Sequence, residues 1–433
     1  MNSRNHLYSI LIISLLISST IMTAQTNDIS EKIESLASSI EKKIIEIRRD
    51  IHANPELSNR EFRTSKIVAD YLTELGLEVK TGVAKTGVVG ILKGKPGNRV
   101  VAFRADMDAL PITEETDVPF ASKVKTELNG REVGVMHACG HDVHTSIQLG
   151  VAEILSKLKD EIPGTIMFIF QPAEESALPE KIWGAELMIE EGIFDELKPD
   201  AIFCLHTWPL HVGDISFSDG TMMASGDFFT LKIKGKGTHG AVPWGGVDPI
   251  TVSAQVILGL QNITSRQVDL PKGGAVISVG SIHGGSRQNV IPSEVELKGT
   301  IRTLDNETRL EIYDKMKTTA EHIALSAGAT AELTIDTLYP VSVNDKNLAD
   351  FSQEVLKDVR GVINVTKIKP VMIAEDFSFF QQVVPGFFFF LGIAPPDADL
   401  ENYPINHSPK FYVDEDAIVI GMKALSNLAV HYC

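Results

Sequence analysis

Three short and almost wholly apolar runs constrain this chain most: VVAF from Val100 to Phe103, TIMFIF from Thr165 to Phe170, and AIFCL from Ala201 to Leu205. A strand that is apolar on both faces is stable only where both faces are covered. Helical segments separate several of these runs, so an α/β sheet with helices packed over it is expected. FFFFL, Phe387 to Leu391, fits a further buried strand of that sheet, with its aromatic side chains divided between the two faces because neighbours along a strand point oppositely. Amphipathic helices are expected over Ile29–Ile51, with Ile33, Leu36, Ile40, Ile44 and Ile47 on one stripe, and from Phe62 to Leu75, stopping before Gly76.

Between about Met222 and Thr337 the texture changes. Phe228–Ile233 reads as a strand, Asp248–Ile263 as a helix, and Ala275–Ile282 and Glu294–Ile301 as strands. Asn306–Ala327 reads as a long helix and Ala331–Ile335 as a last strand. This β-α-β-β-α-β order is the ferredoxin-like signature. At 433 residues the chain exceeds what one core sustains, roughly 250–300 residues. A compact α+β domain inserted into a larger one, whose chain resumes near Asp345, accounts for both observations.

The formal net charge is −17, and no basic block follows the first few residues. That acidic balance argues against nucleic acid as a partner, since phosphate binding needs a positive patch. At the N-terminus Arg4 precedes LYSILIISLLISSTIMTA, Leu7 to Ala24, a run too short and too serine-interrupted for a membrane span of about 20 apolar residues. A signal peptide cut near Ala24 is expected, and with it export to the periplasm or beyond; an uncleaved anchor is the alternative. Cys139, Cys204 and Cys433 are an odd set, so a fully paired monomer is excluded, and metal ligation would account for a thiol kept in an oxidising compartment.

MHACGHDVH, Met136 to His144, places Cys139 and His141 around one glycine, where a tight turn can aim thiol and imidazole at one ion. A helix starting just afterwards would favour an anionic ligand through its free amides. Taken alone, the segment also fits a buried cysteine among structural histidines. QPAEE, Gln171 to Glu175, follows an apolar strand. Its consecutive Glu174 and Glu175 point differently, which suits one carboxylate on metal and one acting as a base. His206 closes the run AIFCLH, and Asp106 and Asp108 follow the strand ending at Phe103. Ligand-capable residues thus gather at the C-terminal ends of apolar strands, where open α/β sheets bind ligands. Cys204, two residues before His206, reads as a small core residue rather than a second sulfur ligand.

RADMDALP (Arg104–Pro111), MHACGHDVH, QPAEE, GKGTHGAVPWGGVDP (Gly235–Pro249) and NVIP (Asn289–Pro292), with HANPELS (His52–Ser58) and NHSPKF (Asn406–Phe411), resemble the amidohydrolase branch of the aminoacylase/carboxypeptidase metallopeptidase family. That branch includes hippurate hydrolases and plant auxin-conjugate hydrolases. The resemblance implies a mixed-sheet di-metal catalytic domain in two parts, 25–221 and 338–433, with a dimerisation domain over 222–337. It assigns Cys139, His141, Glu175, His206 and His407 to two divalent ions and makes Glu174 the general base and then general acid. Asp108 takes the position behind the metal ligands. His239 reaches the partner subunit's active site in a homodimer, and Asn289 and Arg302 face substrate. The implied reaction is hydrolysis of N-acyl or N-aroyl amino acids; a dipeptidase or carboxypeptidase with the same machinery is the alternative. Sulfur, imidazole and carboxylate together suit zinc, manganese, cobalt or nickel.

Overall fold

The apolar runs all become strands of one eight-stranded sheet. The computed structural model describes residues 3–175 and 182–433, with side chains from residue 28 onward; the expected cleavage region near Ala24 lies outside those side chains. Among the described residues no helix is long and apolar enough to cross a membrane.

Contacts divide the chain into two units. The first comprises Met1–Phe217, Asp345–Lys367 and Val384–Cys433. Its sheet runs from edge to edge as Glu78–Val83, Gly87–Lys93, Pro163–Gln171, Lys95–Asp106, Ala201–His211, Gly386–Ala394, Asp214–Phe217 and Asn364–Lys367. The four middle strands are mutually parallel, and antiparallel pairs flank them, so the sheet is mixed, as expected. Phe168, Phe103 and Phe203 lie in register on three adjacent strands and stack at 6.1 and 5.8 Å. Phe387 and Phe389 join that core, whereas Phe390 stacks on Trp208 at 4.4 Å and Phe388 approaches His206 at 6.2 Å. The aromatic run is therefore shared between faces, as the strand period requires. Helices Ser3–Ala53, His141–Lys157 and Asp416–Tyr432 cover the core, burying Ile33, Ile40 and Ile44 of the predicted stripe.

The second unit comprises Ser218–Asn344 and Ile368–Val383. It contains strand Gly226–Lys234, helix Pro249–Arg266, strands Ala275–Gly284 and Glu294–Thr303, helix Asn306–Ser326 and strand Thr330–Tyr339, which is the ferredoxin-like order. The four strands pair antiparallel, and both helices bury their apolar stripes, including Val256, Leu260, Ile312 and Met316, in a core of their own. Asp248 and Asp305 cap the helices by accepting from Ile250 N and Thr308 N, which explains where each begins. The unit is wider than 222–337. Val371 donates to Met222 O at 3.0 Å and Ala224 donates to Ile373 O at 2.9 Å, tying in a segment that carries no periodic signal.

Candidate metal centre

The parallel strands deliver their polar residues to one side. Lys95–Asp106 ends in Asp106 and leads to Asp108; Pro163–Gln171 leads to Glu174 and Glu175; Ala201–His211 carries His206. His206 does not end its strand, which continues to His211. Register with Lys95–Asp106 stops at Cys204 opposite Arg104, so the His206 ring clears that neighbour.

Gly140 makes the turn between Cys139 and His141. Its φ is +89°, and a Cβ there would lie 2.2 Å from Thr207 Oγ1, so both the backbone and the space demand glycine. Helix His141–Lys157 starts directly after it. Cys139 Sγ lies 3.4 Å from His206 Nε2. His206 Nδ1 donates to Thr207 O at 2.8 Å, which leaves Nε2 unprotonated toward the thiol in the neutral ring. His407, at φ +69°, brings Nε2 to 3.1 Å from Glu175 Oε1.

Two three-residue sets share the thiol: Cys139 with His141 and His206, and Cys139 with Glu175 and His407, each with ligand atoms within 4.8 Å of one another. Every residue expected to hold metal is therefore in one cluster. Glu174 joins it through a set with His141 and Glu175, and is buried. The donors fit divalent cations. His141 Nε2 is buried without a hydrogen-bond partner. Burial pushes the Cys139 thiol well above its usual pKa, and Glu175, Glu174 and Asp106 push it further. Burial opposes the charged form of His141, yet Asp106 and Asp108 raise it to about 10. The negative field that holds a proton there favours a metal cation equally, and a cation would turn the thiol into a thiolate.

Other groups orient these ligands. Asp108 Oδ1 accepts from His141 Nδ1 at 3.1 Å, fixing which nitrogen faces the cluster. Asp106, His141 and His144 form a third acidic-imidazole set, but His144 is committed: Nδ1 lies 2.6 Å from Asp106 Oδ1, and Nε2 accepts from Thr207 N at 2.9 Å. Asp142 Oδ2 accepts from Arg48 Nε at 2.7 Å and His52 Nδ1 at 2.9 Å, anchoring the helix start to Ser3–Ala53. Arg104 donates from Nη1 to Asp106 Oδ2 and from Nε to Gln171 Oε1, both at 2.7 Å, with the Arg104 and Asp106 side chains fully buried. Arg104→Met should lower unfolding free energy by about 3 kcal/mol, because Asp106 is left with imidazoles alone. Urea denaturation checks this, and a loss within error would show that the histidines suffice.

Cys204 is buried, with Arg104 Nη1 3.7 Å from its sulfur, and it joins none of the candidate metal sets among the described residues. In the second unit, strands Thr238–His239 and Val290–Ile291 pair, and Gly240 donates to Asn289 O at 2.8 Å. His239 and Asn289 thus sit exposed on one ribbon. Arg302 lies on Glu294–Thr303 with its guanidinium over Gly226, where a Cβ would meet Nη1 at 2.2 Å. Sequence reading missed Glu61, Thr207 and Asn406. Asn406 Nδ2 donates to Cys139 O at 3.2 Å and Thr207 O at 3.3 Å, and its place beside His407 in NHSPKF was the available signal. Thr207, next to His206, carried none.

The model of the family described as Peptidase family M20/M25/M40 matches residues 102–431. Thermostable carboxypeptidase 2 of Saccharolobus solfataricus is 43% identical over 94% of this chain and 99% of that protein. N-acetylcysteine deacetylase of Bacillus subtilis is 38% identical over 90% of this chain and 96% of its own length. A Bacillus subtilis dinuclear metal binding peptidase of the M20 family superposes with a TM-score of 0.77 at 36% identity, covering 91% of this chain and 98% of that one.

Proposed function

The chain belongs to peptidase family M20/M25/M40 and is a metal-dependent hydrolase of linear amides; within that chemistry we propose that it removes the acyl group from N-acyl or N-aroyl amino acids. The sharing of Cys139 between two three-residue sets, with Glu174 beside both, carries this reading. Cys139, His141, Glu175, His206 and His407 would hold two divalent ions, zinc, manganese, cobalt or nickel by donor type. When bound, such ions supply Lewis-acid polarisation and acidify water.

Glu174 takes a proton from the attacking water as its oxygen bonds to the amide carbon. The same carboxyl then passes that proton to the departing nitrogen, the C–N bond breaks, and a carboxylic acid and an amino acid leave. Asp108 keeps His141 in the required tautomer throughout. The relatives include a deacetylase of an N-acetyl amino acid and a carboxypeptidase, so the acyl group and the free α-amino group are the competing caps. Metal-loaded enzyme should show kcat/KM at least about tenfold higher on N-acetyl and N-benzoyl amino acids than on unblocked dipeptides, because a charged amine needs a partner that an uncharged cap does not. Higher values on dipeptides would establish the peptidase alternative instead.

The mature protein works as an exported homodimer in this reading, with the second unit as the pairing domain and the leader, residues 1–24, removed. His239, Asn289 and Arg302 serve substrate: His239 as a hydrogen-bond donor to the carbonyl oxygen in the partner subunit's site, Asn289 and Arg302 toward the amino acid's carboxylate.

A further inference from the structure

The turn that presents Glu174 and Glu175 is held by two buried carboxylates from elsewhere in the first unit. Asp108 accepts from Glu174 N at 3.1 Å and from Glu175 N at 3.0 Å. The preceding amide, Ala173 N, donates to Glu61 Oε1 at 2.9 Å. Three successive amides are thus gripped by side chains rather than by strand or helix partners. Ala173 has a φ of +53°, a left-handed conformation that a side chain disfavours and that no local bond from an alanine methyl can offset.

Glu61 is itself fully buried and fixed. Its Oε1 also accepts from Asn59 N at 2.9 Å, with Asn59 at φ +62°. Its Oε2 accepts from Thr86 Oγ1 at 2.6 Å. The next residue, Gly87, lets the hairpin approach Pro172, since a Cβ there would lie 3.1 Å from Pro172 Cδ. One carboxylate therefore joins the start of helix Phe62–Glu74, the hairpin before strand Gly87–Lys93, and the turn bearing the base.

We propose that Glu61 is a positioning residue for the reaction: by holding Ala173 left-handed it aims the Glu174 carboxylate. This rests on Glu174 being the base. The three bonds to Glu61 need acceptors at the correct reach and only secondarily a charge. A glutamine keeps both amide bonds through its oxygen, and its NH2 can donate to Thr86 Oγ1. An aspartate keeps the charge but falls a methylene short.

Kinetics on an N-benzoyl amino acid, with metal content and melting temperature from the same preparations, separate the possibilities. Glu61→Ala and Glu61→Asp should each lower kcat by roughly 10²-fold, the effect of a small misplacement of a reacting group, with KM and bound metal near wild type. Glu61→Gln should recover most of kcat. Hydrogen exchange over residues 172–175 should show the Ala173 amide protected in wild type and Glu61→Gln, and exposed in Glu61→Asp. If Glu61→Ala does not accumulate, Glu61→Asp and Glu61→Gln still decide the matter. Equal impairment of Gln and Asp variants, kcat unchanged in Glu61→Asp, or losses that track metal content would overturn the proposal. Full activity in Glu174→Gln would overturn the base assignment separately, and the exchange pattern would still report whether Glu61 holds the turn.

Discussion

Glu174→Gln is expected to lower turnover by roughly 10²–10⁴-fold, the range for removing a general acid–base group, with metal content near wild type. The expectation follows from how two adjacent carboxylates are used. Glu175 Oε1 faces His407 Nε2 at 3.1 Å and lies in a set that shares Cys139, whereas among the described residues Glu174 joins the cluster through the set with His141 and Glu175, without the thiol. Each backbone amide is separately held by Asp108, so changing one side chain leaves the other's anchor in place. Glutamine preserves volume and one acceptor but cannot take and return a proton. Glu175→Gln should invert the pattern, with metal lost on dialysis and activity restored in part by excess metal. Elemental analysis beside turnover distinguishes the two, and near-wild-type activity in metal-loaded Glu174→Gln would remove Glu174 from the mechanism.

The second large effect concerns the proposed pairing of subunits. His239→Ala should cost roughly 10²–10³-fold in kcat if the ring stabilises charge on the carbonyl oxygen. The tautomer of the ring suits that role. Ala241 N donates to His239 Nδ1 at 3.0 Å, so the neutral imidazole carries its proton on Nε2, away from its own loop. Mixed dimers of His239→Ala subunits with Glu174→Gln subunits test whether donor and base come from different chains. If they do, one complete site forms and activity returns to about half that of wild type, since a twofold dimer has two equivalent sites. Differently tagged subunits allow the mixed species to be isolated. Activity no higher than that of either mutant homodimer would end the cross-subunit mechanism.

The fold was legible wherever periodicity was undisturbed. Strands buried on both faces and the β-α-β-β-α-β segment announced themselves, because burial dictates hydrophobicity residue by residue. The segment 368–383 did not: its first part is tied down by backbone hydrogen bonds, such as Val371 N to Met222 O, which leave no pattern in side chains, and its helix Phe377–Gln381 is too short to show a periodic stripe. The cluster around Cys139 was legible through residue type and motif. Its supports were less so. Asp106 and Asp108 stood out by following a strand, but Glu61 lies in a polar stretch with other acids, and only its burial beside Ala173 sets it apart. Thr207 matters through its backbone N–H, its carbonyl and its hydroxyl together, a role invisible in any one-letter code.

The strand order of the large sheet has a bearing on how the chain is made. Ala201–His211 and Asp214–Phe217 are consecutive in sequence and joined by a tight turn, yet Gly386–Ala394 lies between them. A growing chain reaches that turn long before the strand that separates its two arms, and the whole second unit is synthesised in the interval. That unit has its own core and all four strands of its own sheet before Gly386, so it can close while the larger sheet still has a slot between Ala201–His211 and Asp214–Phe217. Until that strand arrives, the facing edges of Ala201–His211 and Asp214–Phe217 are unpaired, and residues that will lie opposite it, such as Phe203, Leu205 and Ile215, are apolar. Completion awaits an all-buried, aromatic-rich strand arriving from near the C-terminus, a long-range pairing of the kind that slows folding and leaves sticky edges exposed to other chains. Strand Gly386–Ala394 is thus a late keystone of the catalytic unit, with helix Asp416–Tyr432 made later still, and a nascent chain cut short before Gly386 would present an open, aggregation-prone sheet.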